Sequence, residues 1–418
     1  MKKRRILTAL TSLILLLAIC TNLAACGTTV KAASLSDGIT PRYVEALSDL
    51  TNGNKCAADF AVRLFTASAL EGGNVLVSPL SVMSALAMTI NGAEGNTLAQ
   101  MESALGMKRN ELNDYLYSYM LSLPEAEKYK LSLANSIWFT SDNGFNVSEE
   151  FLQTNADYYG ADLYEAPFDK STVKDINNWV KDKTDGMIPK ILSDIPPFAA
   201  MYLVNALAFD AEWQKVYKKE QIKDATFTKE DGTEQDCDMM YSTEHSYIED
   251  ECATGFIKYY ADSKYAFVAL LPNQGISVSE YILSMSGEAL YEMISNPIQA
   301  TVNAGIPKFE TEYTAEMSDT LAFLGITDAQ DSSTADFSGI GSYYDENLYI
   351  NSVIHKTYIQ VDERGTRAGA ATSIGLNGSS GPPSDIKTVY LDRPFVYMLV
   401  DCENAVPFFI GAMTDIEQ

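Results

Sequence analysis

Six apolar runs, each five to nine residues long, recur along this chain and have the composition of β-strands. They span residues 131–139, 201–209, 267–271, 348–354, 395–400 and 408–413. Helical patterns lie mostly between these runs and are concentrated in the first half of the chain. Cys56, Phe60 and Leu64, for example, recur at the spacing of one helix face. Helices early and strands late predict an α+β fold with large antiparallel sheets.

One strand-to-helix transition can be predicted in detail. Residues 74–82 begin as a short apolar strand and continue into the start of a helix. Ser78 can cap that helix, and Pro79 suits its first turn because proline lacks the N–H that would be unpaired there. Gly92 is placed to end the helix.

The N-terminus has the pattern of a secretory signal. Four basic residues (2–5) precede an apolar run, and small residues follow at 24–27 around Cys26. Residues 23–27 resemble a bacterial lipobox, in which Cys26 carries a lipid and becomes the new N-terminus. An ordinary signal and an uncleaved membrane anchor are the alternatives. The expected location is therefore extracellular, anchored to a bacterial cell membrane through Cys26 or secreted.

The remaining chain is divided into a tether and one domain. Residues 1–25 form the predicted signal peptide, and residues 26–45 are polar and small, which favours a tether of up to roughly 60 Å. No repeat, linker or change of composition divides residues 46–418, so a single domain is expected.

Without residues 1–25 the chain has 56 acidic and 26 basic residues, a net charge of −30. That charge disfavours nucleic acid and anionic lipid as partners.

The cysteines and histidines do not form a metal-binding pattern. Cys56, Cys237, Cys252 and Cys402 lack metal-ligand spacing, and His245 and His355 are the two histidines of the chain. Residues 241–247 could form a hairpin that brings Cys237 opposite Cys252. A disulfide and two free thiols both remain open there.

An enzyme motif is present but is out of order. Residues 171–174 match S-x-x-K and residues 141–143 match S-D-N, as in serine acyl-enzymes that act on β-lactams. The S-D-N element should follow S-x-x-K, whereas here it comes first. The third element, at 183–186, is interrupted by Asp185. The sequence therefore favours a protein without catalytic activity.

Residues 361–383 combine a strand pattern with an exposed end. Because side chains alternate along a strand, small residues from Thr366 onward share one face. Those nearest the start of the segment are Thr366, Ala368, Ala370 and Thr372. The run 377–383, Asn-Gly-Ser-Ser-Gly-Pro-Pro, is typical of the exposed loop tips at which proteases cut. The segment could be a protease target on a hinge that joins a sheet after cutting, or a plain long loop.

Motifs along nearly the whole chain from residue 46 resemble those of the serpins, serine protease inhibitors of the antitrypsin family. They occur in the family's order. They are residues 74–81, 85–88, 92–93, 135–138, 176–180, 204–209 with Trp213, 307–309, 335–339, 355–356, 361–366, 393–395 and 408–411.

The resemblance implies a fold and a mechanism. The fold would be an α+β serpin fold with about eight to nine helices around three β-sheets and an exposed reactive loop. The protein would be a monomer without cofactors that traps serine proteases covalently. Trapping would proceed through an acyl-enzyme, after which the loop inserts into the main sheet. A non-inhibitory binding or scaffold protein of the same fold is the alternative, and the small side chains of the hinge face argue against it.

The resemblance also implies roles for individual residues. Three groups follow the family's motifs. The shutter, where strands part, would comprise Ser78, Ser81, Asn205 and His355. The breach, where insertion starts, would comprise Trp213, Lys308 and Glu363, with Lys308 and Glu363 as an ion pair. The hinge would comprise Glu363, Gly365, Thr366, Ala368, Ala370 and Thr372, with Gly365 supplying conformational freedom and Thr366 entering first.

Two departures from the family pattern concern the reactive loop. Arg367 stands where many members have an acid, but it lies on the outward face. The loop is also longer than antitrypsin's. The family rule of sixteen residues beyond Glu363 places the scissile bond at Ser379–Ser380, whereas counting back from Arg393 reaches Pro383, a poor cleavage site. Ser379 as the residue before the bond predicts elastase-like or subtilisin-like targets.

Overall fold

The computed structural model describes residues 30–142, 144–195, 199, 201–344, 347–350, 353–366 and 386–416. Within these ranges the chain forms nine α-helices. They are α1 (Thr51–Ser68), α2 (Pro79–Ile90), α3 (Gly95–Leu105), α4 (Arg109–Ser122), α5 (Glu149–Tyr159), α6 (Lys170–Lys183), α7 (Val278–Ser284), α8 (Gly287–Ser295) and α9 (Ser318–Phe323). None of these described helices has the length and apolar character that crossing a bilayer requires.

The described strands form three sheets. The first ten are β1 (Ala33–Ser34), β2 (Val75–Val77), β3 (Tyr129–Thr140), β4 (Phe145–Val147), β5 (Asp162–Ala166), β6 (Met201–Glu212), β7 (Ile222–Thr228), β8 (Glu234–Glu249), β9 (Ala253–Tyr259) and β10 (Tyr265–Pro272). The others are β11 (Ile298–Pro307), β12 (Phe309–Glu316), β13 (Gly341–Tyr343), β14 (Ile354–Val361), β15 (Gly365–Thr366), β16 (Ile386–Tyr390), β17 (Phe395–Asp401) and β18 (Val406–Met413). Three sheets and nine helices confirm the predicted α+β class.

The main sheet has seven strands in the order β1-β5-β3-β6-β15-β14-β12. Long antiparallel pairings form its two halves, β3 with β6 on one side and β14 with β12 on the other. Between the halves the structure describes one strand, β15, which is two residues long. The described centre of the main sheet is therefore the strand that leads into residues 367–385.

A nine-stranded sheet lies behind it, in the order β16-β11-β8-β9-β10-β17-β18-β2, with β7 paired to β8. Every residue of β10, β17 and β18 is buried. Their nearly continuous apolar sequences are typical of strands covered on both faces. The third sheet is the short pair β4 and β13.

Helix α2 begins as predicted, and Gly92 beyond its end has a packing role. The Ser78 hydroxyl accepts a hydrogen bond from Ser81 N, and Pro79 occupies the first helical position. The helix ends at Ile90, before Gly92. A Cβ on Gly92 would lie 2.1 Å from Cγ1 of Ile340, so glycine is required by close packing of a distant loop.

One open alternative is decided, and one predicted strand begins later than expected. Residues 241–247 are not a hairpin turn but the middle of β8, which contains no Gly, Pro or Asn there and pairs with β11. Cys237 and Cys252 are both free thiols. The strand between them spans roughly 40 Å from residue 237 to 249, too far for a disulfide. The strand expected at 348–354 begins only at Ile354.

Residues 30–47 lie against the domain, which differs from the expected tether. The amides of Lys31 and Ala32 donate to the Asp175 carboxylate over 3.0 and 3.1 Å. Strand β1 adds to the edge of the main sheet by pairing with β5. Farther on, Leu47 N donates to the Ser118 hydroxyl over 2.8 Å. Backbone hydrogen bonds therefore hold a segment whose composition is small and polar.

Candidate functional site

Strand β15 places Gly365 and Thr366, at the described end of the predicted hinge, inside the main sheet. Thr366 lies opposite Ala211 of β6 on one side and Val361 of β14 on the other. Its side chain is 2% exposed and its hydroxyl hydrogen-bonds the phenol of Tyr260. A Cβ on Gly365 would lie 1.9 Å from Ala211 O. Position 365 therefore requires glycine because the backbone approaches β6 closely, in addition to the conformational freedom predicted for it.

A tight turn reverses the chain between β14 and β15. Asp362 N donates to Gly365 O over 3.0 Å. The Asp362 carboxylate accepts from the amides of Arg364 and Gly365 over 2.8 and 3.3 Å. Side-chain-to-backbone bonds of this kind are the reason Asp favours turns. The turn aims the chain from β14 back along β6.

Trp213 fixes this turn from the side of β6. Its backbone N–H donates to Arg364 O and its indole N–H to Asp362 O, both over 2.8 Å. The indole ring stacks on Tyr260, with centroids 4.4 Å apart and an angle of 6° between the planes. The predicted breach tryptophan thus holds the hinge turn through two hydrogen bonds.

Lys308 and Glu363 are paired, with Nζ 2.8 Å from Oε2. Asp238 lies farther from the same ammonium, at 3.8 Å. Partial burial opposes the charge of Lys308, but the hydrogen bond and the attraction of Glu363 outweigh it and raise the pKa of the lysine. The hydrogen bond from Lys308 lowers the pKa of Glu363. The structure therefore brings together all three predicted breach residues around the turn at 362–365.

Lys258 is a member of this site that the sequence does not reveal. Its ammonium lies 4.4 Å from the centre of the Tyr217 ring and 5.2 Å from that of Trp213, and its side chain is 2% exposed. Glu244 pairs with it at 2.9 Å. Tyr217 N in turn donates to Glu363 O over 2.9 Å. A buried cation thus supports the two aromatic residues that contact the hinge.

The four predicted shutter residues form one network beneath the main sheet. Ser78 N donates to Nε2 of His355 over 3.0 Å, and the Ser78 hydroxyl donates to Phe408 O over 2.9 Å. The Ser81 hydroxyl donates to the side-chain oxygen of Asn205. The Asn205 amide donates to Asn135 Oδ1 over 2.5 Å. The network joins α2 to β6 and β14, the strands on either side of β15 in the main sheet.

His355 is neutral in this network. Burial lowers its pKa to about 4. Nε2 accepts a hydrogen bond from Ser78 N, which a protonated imidazole could not do. The shutter therefore depends on an uncharged imidazole.

Two separate cavities are lined by residues of β6 and β14, one near the hinge and one at the shutter. One is lined by Thr366, Leu207 and Ile359, directly beyond the end of β15. A larger cavity, of about 170 Å³, is lined by Ser81, Asn205 and His355 together with residues of α2 and 347–350. Among the described residues, side chains of β6 and β14 therefore line both cavities.

The sequence that forms this site matches a known protein family. The profile of the family Serpin (serine protease inhibitor) matches residues 55–416, most of the chain. The chain belongs to the serpin family. Membership supports protease inhibition as the general function and is consistent with a protein that is not an enzyme.

Curated relatives of this serpin include two elastase inhibitors and an archaeal protein. The leukocyte elastase inhibitor of Equus caballus is 30% identical over 370 residues, covering 84% of this chain and 96% of that protein. The human protein of the same name is 30% identical over 373 residues with the same coverage. An uncharacterised serpin-like protein of Thermococcus kodakarensis is 28% identical, covering 85% of this chain and 83% of that protein.

Solved structures of a thermophilic serpin, tengpin, are also similar. In the native state that protein is 49% identical, covers 93% of this chain and 100% of its own, and superposes with a TM-score of 0.87. In the latent state the identity is 45%, the coverage 90% and 100%, and the TM-score 0.78. The serpin described here is thus more similar to the native form.

Several predicted positions lie outside the described residues. They are Cys26, Arg367, Ala368, Ala370, Thr372, Ser379 and Ser380. The roles assigned to these residues stay predictions.

Two site residues were missed because their partners are distant in sequence. Asn135 lies opposite Asn205 in the β3–β6 register, which sequence reasoning could have found by aligning the two strands. Lys258 stands between Ile257 and Tyr259 in an apolar strand, a position where a lysine side chain must be paired.

Proposed function

We propose that this serpin is an irreversible inhibitor of serine proteases that acts by acyl-enzyme trapping and insertion of its reactive loop. One observation carries the proposal. The hinge already enters the main sheet as β15, and no other described strand lies between β6 and β14. The cavities beyond Thr366 supply space along the same line.

The chemistry begins with attack of the protease serine on the carbonyl of Ser379. The bond to Ser380 N breaks, and the new amine takes a proton from the protease histidine. Ser379 is then joined to the protease by an ester, while the chain from Thr366 onward is free to extend β15. Some ten backbone hydrogen bonds along β6 and β14, at about 0.5–1.5 kcal/mol each, would release on the order of 10 kcal/mol. This is comparable with the stability of a whole domain, so it can displace and distort the bound protease.

The hinge sequence suits this insertion. Thr366 is buried, and alternation puts Ala368, Ala370 and Thr372 on the same face. These side chains are small enough to enter between two strands. Arg367 would point to the opposite face. A non-inhibitory scaffold would not need this pattern.

The targets proposed are elastase-like or subtilisin-like serine proteases. A small side chain at Ser379 fits their primary pockets, and Leu376 provides an apolar residue three positions earlier. Two relatives named as elastase inhibitors support the first class. No Lys or Arg stands between Ala368 and Ile386, which disfavours trypsin.

A protease panel tests the proposal. The protein is incubated with an elastase, a subtilisin and trypsin, and adducts stable in SDS are sought on gels. We expect adducts with the first two, and a released C-terminal peptide that starts at Ser380 by mass spectrometry. Cleavage without an adduct in every case would instead support the non-inhibitory alternative.

We further propose that the protein acts as a monomer outside a bacterial cell, lipid-anchored at Cys26 or secreted. The lipobox-like sequence supports the location, and the family resemblance supports the monomeric state. Cys26→Ala should move the protein from the membrane fraction to the medium or leave its signal uncleaved. Wild-type protein wholly in the medium with another N-terminus would contradict the lipid anchor.

A further inference from the structure

The connection between β6 and β7 contains a group of exposed lysines in a strongly acidic chain. We call residues 215–223 the basic segment; its lysines are Lys215, Lys218, Lys219 and Lys223. With Glu220 the segment has a net charge of +3, whereas the whole chain has −26. Among the described residues these lysines form no ion pair, unlike Lys258 and Lys308. Positive charge is therefore left available to a partner here.

Hydrogen bonds hold the basic segment in place. Tyr217 is buried and its N–H donates to Glu363 O over 2.9 Å. Lys218 N donates to the Gln221 side chain over 2.9 Å. The Gln221 amide donates to Tyr241 O over 3.0 Å. The lysine side chains thus project from a backbone whose position is fixed, which lowers the entropy lost on binding.

The basic segment lies between the two ends of the reactive loop. At one end Tyr217 contacts Glu363, three residues before Thr366. At the other end Lys223 lies over the Tyr241 ring at 5.8 Å, and Tyr241 packs edge-on against Tyr390 of β16 at 5.3 Å. Strand β16 follows the loop directly. Residues that flank the loop on both sides therefore lie near this segment.

We propose that the basic segment is a docking surface for an acidic face of the target protease. The proposal rests on the proposed function. Ammonium groups attract carboxylates on the approaching enzyme and accelerate association without taking part in the chemistry. Val216 is 40% exposed and provides an apolar contact within the basic segment. Target choice would then depend on the protease surface as well as on Ser379.

A protease is a better occupant than an extended polyanion. The basic segment covers nine residues, and the rest of the chain carries a net negative charge. A long polyanion that extended beyond the basic segment would be repelled by that negative charge. A protease held at the loop would avoid this repulsion, because only one face of it would contact the basic segment.

The test compares association rates of matched charge variants. The first variant is Lys215→Glu/Lys218→Glu/Lys219→Glu. The control, Lys170→Glu/Lys174→Glu/Lys181→Glu, changes the net charge equally on the exposed face of α6. That helix packs on Trp138 near the other end of the main sheet. Each protein is mixed with a subtilisin-class protease of acidic net charge and with a basic elastase.

The first variant should form adduct with the acidic protease about tenfold more slowly than wild type at about 0.1 M salt. The difference should shrink at about 1 M salt because screening shortens the reach of the charges. The basic elastase should be trapped at the wild-type rate or faster. The control should resemble wild type, and the moles of inhibitor consumed per protease should not change.

Two outcomes would overturn the docking surface while leaving inhibition intact. The first is unchanged rates in the lysine variant; if polyphosphate binding, measured on the same proteins, is lost in that variant, the basic segment would be assigned to a polyanion. The second is an equal slowing in the control. Absence of any adduct with wild type would overturn the proposed function and this inference with it.

Discussion

The hydroxyl of Thr366 hydrogen-bonds the buried phenol of Tyr260, so the last described residue of the hinge is already held within the main sheet. The contact fixes which face of the hinge points inward. It also makes Thr366 the position at which insertion of the loop can be blocked by one substitution.

Thr366→Arg should convert the inhibitor into a substrate. The guanidinium would have to enter a closed sheet without a partner, at a cost of several kcal/mol. Proteases would still cut the loop, but the SDS-stable adduct should disappear while cleaved protein accumulates. Thr366→Ser, which keeps the hydroxyl, should trap as wild type does. Equal trapping by Thr366→Arg would show that this face does not enter the sheet.

The folded state should lose stability between about pH 6.5 and pH 4 because of His355. Burial lowers its pKa to about 4, so the imidazole stays neutral in the fold while the unfolded chain takes up a proton below about 6.5. The unfolded state then binds more protons, and stability falls as the pH falls, by roughly 3 kcal/mol in full.

Denaturant midpoints across this range in wild type, His355→Gln and His245→Gln would measure the effect. The chain has two histidines, so His245→Gln is a complete control. The loss should persist in His245→Gln and be absent in His355→Gln. A titration of His355 near pH 6.5 by NMR would be incompatible with the shutter geometry.

The parts of the fold that could be predicted from sequence are those buried on both faces. Strands β17 and β18 are continuous apolar runs and were placed nearly to their ends. Strand β12 was missed because its exposed and less exposed residues alternate and include Glu310 and Glu312. Leu348 and Ile350 are apolar side chains that pack against the core from a loop, in which Ile350 N donates to Ala329 O. Their composition therefore predicted a strand too early.

The candidate site shows the same division. Ser78 and Ser81 belong to a local motif, so the sequence could place them. The pairing of Asn205 with Asn135 and of Lys258 with Glu244 joins separate strands, and depends on a register that no local pattern specifies. Composition could not reveal that residues 30–47 dock, because backbone amides make the contacts.

Lys258→Met should destabilise the protein and loosen the hinge. The substitution leaves the Glu244 carboxylate, which is largely buried, without its cation, at a cost of about 3–5 kcal/mol. It also removes the ammonium between the Trp213 and Tyr217 rings, so the backbone amides of both residues should exchange hydrogen faster. Lys264→Met breaks an exposed pair with Glu403 at 3.8 Å and should cost under about 1 kcal/mol. Equal effects of the two substitutions would show that burial of Lys258 has no special role.

Ser379→Arg should redirect the inhibitor toward trypsin. Trypsin-like enzymes need Arg or Lys before the cut bond, and the loop has neither between Ala368 and Ile386. Wild type should therefore trap trypsin negligibly, whereas Ser379→Arg should give an SDS-stable trypsin adduct and lose most of its rate with elastase. Ser379→Ala keeps a small side chain and should retain elastase trapping. In each case mass spectrometry should find a released peptide that starts at Ser380.

A wild-type peptide that starts after Leu376 would move the scissile bond and favour chymotrypsin-like targets. Efficient trapping of trypsin by wild type would exclude Ser379 as the specificity residue.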